Sequence, residues 1–247
     1  MNNKVIYTSM FDSGNNTDYY LHDPKCNLEG WDLVCFTNNP NIKSDVWEVR
    51  PVIRYYTDGA RDNRVYKILP HRHFKEYDIS VCVDADILIS SNIDDIVEKY
   101  LSDNNLAVLD HSICGMTKTG NLNRRSCIYQ EASFIKWLGD NHPQKHYKDN
   151  MDIINKQINK YMSDKYPQNN GLARTTVIFR RHNETDVIDT MERWWMEYKY
   201  NSRRDQLSFP YAVWKTGLDF KYMPIDIDDN EWFQLMKQWR KERQSKR

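Results

Sequence analysis

Residues 81–90 read VCVDADILIS, and the fold turns on how they are taken. Val81, Cys82 and Val83 lead in, and Ile87, Leu88 and Ile89 lead out. Such an apolar run predicts a strand buried on both faces of a parallel sheet. Asp84 and Asp86 interrupt it. A buried carboxylate without a partner is costly enough to take up a proton instead. The pair therefore calls for a positive charge.

The surrounding chain supplies the frame of such a sheet. KVIYTSMF (4–11), WDLVCFTN (31–38) and WEVRPV (47–52) read as strands, and LAVLD (106–110) as another. ARDNRVYKILPHRHF (60–74) has helical spacing through Val65, Ile68 and Leu69 and is limited by Pro70. NIDDIVEKYL (92–101) predicts a second helix. Strands alternating with helices predict a doubly wound α/β sheet, whose ligands bind beyond the carboxyl ends of the strands. Further on, 127–138, 151–162, 186–200 and the start of 205–217 read as helices and TTVIFRR (175–181) as a strand. The last stretch, NEWFQLMKQWRKERQSKR, reads as a basic amphipathic helix with Trp232, Leu235, Met236 and Trp239 on one side.

Composition narrows the class. Of 247 residues 40% are apolar and 28% charged, so a folded globular chain is expected. Lys+Arg and Asp+Glu both number 35, and that balance gives no footing for a nucleic-acid binder. Five cysteines occur without a CxxC pair, and Cys35 and Cys82 fall inside predicted strands, which points to buried free thiols. With no apolar leader and no apolar run long enough to span a bilayer, the expected setting is cytoplasmic. Between 231 and 247 six Lys/Arg stand against two Glu, a charge of +4. Such a helix could touch an anionic membrane peripherally, although docking on the domain is the preferred reading.

Two carboxylates one residue apart at a strand end can share a hard divalent cation. Mg²⁺ or Mn²⁺ suits such oxygen ligands, completing its shell with water and phosphate oxygens. A metal so held neutralises a departing diphosphate, the main catalytic task when a sugar leaves through a cation-like state. In the helix before it, Arg61, Arg64 and Lys67 recur at i, i+3 and i+6, one stripe able to face a pyrophosphate or solvent.

The ordered set WDLVCFTN, WEVR, RDNRVYKILPHRHFKEYDISVCVDADI, CIYQEA, RRHN, WW and RRDQLSF resembles a glycosyltransferase-like domain family once catalogued as unknown-function domain 616. Plant mucilage-related, bacterial polysaccharide and chlorovirus capsid-glycosylating proteins are similar. The resemblance runs from about residue 4 to 222. It implies one GT-A domain over 1–247, in which a Rossmann-like nucleotide-sugar-binding half (about 1–110) merges with an acceptor half (about 111–225), followed by the basic helix and tail (226–247). The implied activity is transfer of a hexosyl or deoxyhexosyl group from a nucleotide diphosphate-sugar, UDP-sugars favoured, to a glycan acceptor.

By position, the resemblance puts the nucleotide at Tyr7, Thr8 and Ser9, the donor against Arg61, Arg64 and Lys67, and ribose and metal at Asp84 and Asp86. Asn169, Asn170 and Gly171 would lie near the sugars, or form an ordinary turn. Asp205 is the first choice for a base at the acceptor hydroxyl, with Gln206 on the donor sugar and Glu131 as second choice; a helix N-terminal role for Asp205 and an Arg124 or Arg125 partner for Glu131 are the plainer readings. His111 and His182 each follow a strand and are candidate third metal ligands, or hydrogen-bonded structural residues. Of Trp194 and Trp195, one is expected in the core and the other against a sugar ring. A metal-dependent hydrolase using the same cleft, or a non-catalytic sugar-nucleotide or glycan-binding domain, are the alternatives.

Overall fold

Strand β1 (Lys4–Met10) enters the core at once: Val5, Ile6 and Tyr7 are wholly buried in the computed structural model, which describes residues 3–11, 20–113, 124–144 and 147–236. Val5 and Tyr7 face one side of the sheet and Ile6 the other, the period-2 alternation of a strand covered on both faces. β2 (Trp31–Thr37) and β3 (Glu48–Pro51) pair outward from it in parallel. The chain then returns through α1 (Gly59–Ile68) to β4 (Ile79–Val83), which pairs with β1 on its other side. β5 (Ile87–Ile89), α2 (Asp94–Leu101), β6 (Leu106–Asp110), α3 (Ile128–Asn141), α4 (Met151–Ser163), β7 (Ala173–Arg180), α5 (Thr185–Tyr200), α6 (Asp205–Thr216), β8 (Lys221–Met223) and β9 (Phe233–Leu235) follow.

Seven strands form one sheet in the order β3-β2-β1-β4-β7-β6-β8. β7 alone runs against the rest, pairing antiparallel with both β4 and β6. The fold is therefore mixed α/β with a largely parallel sheet, as expected. Strand order reverses between β1 and β4, so the crevice beyond their carboxyl ends is where such a sheet binds its ligand. One face is covered by α1, α5 and α6, where Tyr66, Trp194, Tyr198 and Phe209 pack against Tyr7 and Cys82. α2 and the β5–β9 pair cover the other, through Ile96, Val97, Ile87 and Phe233. α3 and α4 lean on α6 in a third cluster built around Tyr161, Tyr166 and Tyr211.

Capping explains several boundaries. The Asp58 side chain accepts the Ala60 N–H at 3.0 Å and starts α1, and Asn150 accepts those of Asp152 and Ile153 to start α4. Each such cap is worth about 1 kcal/mol. Gly217 ends α6 in the left-handed conformation, φ 71°.

Two expectations are corrected. VCVDADILIS is not one strand: β4 ends at Val83, the Ile87 N–H closes a turn onto the Asp84 carbonyl at 2.9 Å, and β5 leaves to pair with β9. The described start of the C-terminal segment is that strand rather than a helix, because Ser90 N–H to Trp232 O (2.8 Å) and Met236 N–H to Asp86 O (2.9 Å) satisfy backbone groups from both chains. Trp239 and the basic tail lie outside the described residues. Cys35 and Cys82 are buried free thiols, as read from the sequence, and no described helix is long and apolar enough to cross a membrane.

Candidate active site

The turn at Asp84–Asp86 lies at the carboxyl end of β4, beside the β1–β4 reversal. Its backbone is pinned from β7, where Thr176 O accepts the Asp84 N–H at 2.9 Å. β7 is irregular here. Its register against β6 jumps from Val108↔Ile178 to Leu109↔Arg174, leaving 175–177 as a bulge. Bulges re-aim side chains next to sites, and this one turns the Thr175 hydroxyl onto Asp205 at 3.1 Å.

Asp84 meets a positive charge from the protein itself, Lys67, which the sequence reading had set against the donor phosphates. Its ammonium lies 2.8 Å from Asp84 Oδ1 and 3.2 Å from Asp205 Oδ2, and its side chain is only 2% exposed. Arg64 completes the cluster with Nε at 2.9 Å and Nη2 at 3.2 Å from the two Asp205 oxygens, a forked contact. Lys67 is held from behind. Its carbonyl, near the end of α1, accepts the Tyr7 hydroxyl at 3.1 Å and Arg180 Nη2 at 2.9 Å, and Arg180 also binds the Tyr7 hydroxyl. Burial alone would raise the Asp205 pKa, but the Arg64 and Lys67 charges outweigh it and hold the carboxyl well below its usual range.

A second buried network flanks the first. Glu131, 1% exposed, accepts Arg125 Nε at 2.5 Å and Arg204 Nη2 at 3.3 Å, and Arg125 reaches His111 Nε2 at 3.1 Å. Burial opposes ionisation of Glu131, yet Arg125 and Arg204 depress its pKa. Burial first, then Arg125, push His111 down to about 4, so its ring is neutral at pH 7.

These placements redistribute the expected roles. Arg61, Arg64 and Lys67 do form one face, but each meets protein: Arg61 binds Asp58 at 3.3 Å, and the other two bind Asp205. Asp205 and Glu131 are both buried and ion-paired, Asp205 with Arg64 and Lys67 and Glu131 with the Arg125 anticipated as its partner, so each carboxylate is held as an anchor would be. Tyr7 is a core residue in ring contact with Phe74 at 5.0 Å and cannot meet a base. Thr8 and Ser9 follow it near the carboxyl end of β1 and are buried too; Ser9 Oγ donates to Asn63 O at 3.2 Å and its carbonyl accepts Asn63 Nδ2 at 2.6 Å. His182 is removed from the site: Arg180 pairs with Ser80 at the start of β4, so His182 lies at the opposite edge, wholly buried, its Nε2 on Phe74 O at 2.7 Å. Trp194 and Trp195 are both buried, which removes either as a sugar platform.

Gln206 sits in the first turn of α6, with its Oε1 buried and lacking a donor among the described residues. Asn170 and Gly171 lead into β7; Gly171 has φ 79°, and a Cβ there would come 2.6 Å from the Tyr222 hydroxyl.

No group of three or more His, Cys, Asp or Glu side chains among the described residues is placed to hold a metal ion. Two carboxylates suffice for a cation that takes its other ligands from phosphate and water. Asp84 suits that chemistry: it offers oxygen, is 31% exposed, and its Oδ2 makes no hydrogen bond among the described residues. Sequence reasoning missed Thr175 and Arg180. The second had a signal, an arginine inside the apolar VIFRR strand, the same anomaly that drew attention to Asp84.

The family model for the TOD1/MUCI70, glycosyltransferase-like domain matches residues 37–240. Among solved structures, the apo WbbM bifunctional glycosyltransferase is similar at a TM-score of 0.45 and 11% identity, over 89% of this chain and 38% of that one. The mannosyltransferase Ktr4p from S. cerevisiae gives 0.43 and 9%, over 85% of this chain and 65% of its own. The chain thus spans less than two thirds of either. No curated protein matches.

Proposed function

The chain belongs to the TOD1/MUCI70 glycosyltransferase-like domain family, and from that premise we propose that it transfers a sugar from a nucleotide diphosphate donor to a glycan acceptor, with Mn²⁺ or Mg²⁺ at Asp84 and Asp86. The observation that carries this reading is the Asp84–Lys67–Asp205 chain at the strand-order reversal. A carboxylate at a ligand-binding rim has been given one buried cation and left partly open to solvent.

Asp84 and Asp86 would hold the metal, which when bound neutralises charge on the leaving diphosphate. The protein's own part is preorganisation. Lys67 fixes one oxygen of Asp84, and Asp205 fixes Lys67 and Arg64 so that none of the three must reorder as charge develops. Asp205 is thus a positioning residue. Ser9, tied to Asn63, and Thr8, whose buried hydroxyl has no partner among the described residues, would lie on the nucleotide side. Gln206 Oε1 is an acceptor suited to a donor-sugar hydroxyl. UDP is favoured as the carrier, and a cytoplasmic setting agrees with the free thiols among the described residues.

A thermal-shift screen of nucleotide diphosphate-sugars with and without Mn²⁺ tests the donor, and product analysis with an added glycan tests the reaction. Metal-dependent stabilisation and a new glycosidic product are expected. Free sugar alone would favour a hydrolase, and binding without turnover a non-catalytic domain.

A further inference from the structure

A separate cleft of about 340 Å³ opens between the end of α6, β8 and the turn before β7. Its size is at the low end for small-molecule sites, roughly 300–1,000 Å³. Its walls combine three rings, Trp214, Phe220 and Tyr222, with Asn170 and Asp219. Phe220 and Tyr222 meet edge to face at 4.8 Å, and Trp214 is braced by Tyr166 at 5.4 Å. The polar groups are the informative part. Trp214 Nε1, the Tyr222 hydroxyl and the Asp219 carboxylate make no hydrogen bond among the described residues. Asn170 donates Nδ2 to the Tyr166 hydroxyl at 3.3 Å, and its Oδ1 has no partner there.

Two donors and two acceptors beside aromatic faces define the ligand class. A wholly apolar ligand would strip water from these groups and return no hydrogen bond. A phosphate-bearing ligand would meet the Asp219 carboxylate, charge against charge. A neutral sugar ring meets both demands, laying its C–H face on a ring and giving its hydroxyls to donors and acceptors alike. The turn before β7 helps shape the wall, because Gly171 brings its backbone against the Tyr222 ring where any Cβ would collide.

Two rulers place the cleft relative to Asp84. In the order β4-β7-β6-β8 the strand bearing Tyr222 is three steps from β4, roughly 14 Å at ~4.8 Å per strand. Along α6, Asp205 beside Lys67 and Trp214 at the cleft are separated by roughly 14 Å at 1.5 Å per residue. We propose that this cleft is a saccharide subsite that holds a sugar unit of the acceptor glycan away from the unit that reacts. The assignment to an acceptor rests on the transferase reading above; sugar binding itself does not.

The test follows the indole N–H resonances of the full chain by NMR, with Trp214→Phe assigning the Trp214 signal. Maltotetraose, cellotetraose, chitotetraose and α-1,2-mannotetraose are titrated separately at millimolar concentration. At least one is expected to shift the Trp214 signal saturably, and Asp219→Ala, at an exposed side chain, is expected to weaken that tetrasaccharide about tenfold. Calorimetry of UDP with Mn²⁺ runs in parallel. Tetrasaccharide binding without UDP binding would overturn the UDP-donor reading and leave the subsite standing. No shift at Trp214 with any of the four, or a shift unaffected by Asp219→Ala, would overturn the subsite whatever UDP does.

Discussion

Lys67 is the residue on which the local electrostatics turn. With its ammonium buried between Asp84 and Asp205, replacement by Met leaves two carboxylates facing one cation, Arg64, that reaches only Asp205. Removing one partner of a buried pair costs about 3–5 kcal/mol, and the lower value applies because Asp84 is partly solvated. Urea unfolding of Lys67→Met should therefore show a loss of about 3 kcal/mol; a loss below about 1 kcal/mol would contradict the network. Asp205→Asn separates anchor from base. An anchor's loss lowers the urea midpoint together with activity, whereas loss of a general base alone leaves the midpoint in place while costing about 10²–10⁴ in rate. The sequence displayed these residue types and Asp84's need for a cation. It had no means of showing that Lys67 and Asp205, so far apart in the chain, would meet, since no local period links them.

At the scale of elements, the two corrected segments share a cause. Apolar residues on both sides of Asp84-Ala85-Asp86 read as one strand, but a turn sends Ile87–Ile89 into a second sheet whose partner, Phe233–Leu235, is remote in sequence. That partner carries an amphipathic pattern compatible with a helix, and long-range pairing overrode it. Elements with strong local periodicity, such as α1, α5 and β7, were legible, and the three-residue β8 was too short to register. The bulge in β7 left no local mark either, since its register is set by β6. The turn before β7 makes its own prediction. Gly171→Ala forces a side chain into φ 79° and onto the Tyr222 ring, so a destabilisation of about 1–2 kcal/mol or more is expected in thermal unfolding. An unchanged melting temperature would mean that Tyr222 is not held there.

At the scale of the whole molecule, the sheet order places β4 beside the strand-order reversal, and buried histidines tie its stability to pH. Burial lowers His73, His111 and His182 to about 4, with Arg72, Arg125 and Arg180 respectively adding to the effect. An unfolded histidine titrates near 6.5, so between roughly pH 6.5 and 4 the unfolded chain binds more protons. Stability should fall as pH falls through that window. The depressed Asp205 adds a further loss only below about pH 4, where an unfolded carboxyl takes up its proton. Urea midpoints that stay flat from pH 7 to 5 would contradict the burial of these rings.

Calorimetry of UDP with Mn²⁺ probes the proposal that Asp84 and Asp86, at the end of β4, bind a diphosphate through a metal. Asp86→Asn keeps the size of the side chain and removes its charge. Measurable UDP affinity is expected for the unaltered chain, lost on chelation, with at least tenfold weaker binding to Asp86→Asn. Equal affinity for both chains, or UDP affinity indifferent to a chelator, would contradict it.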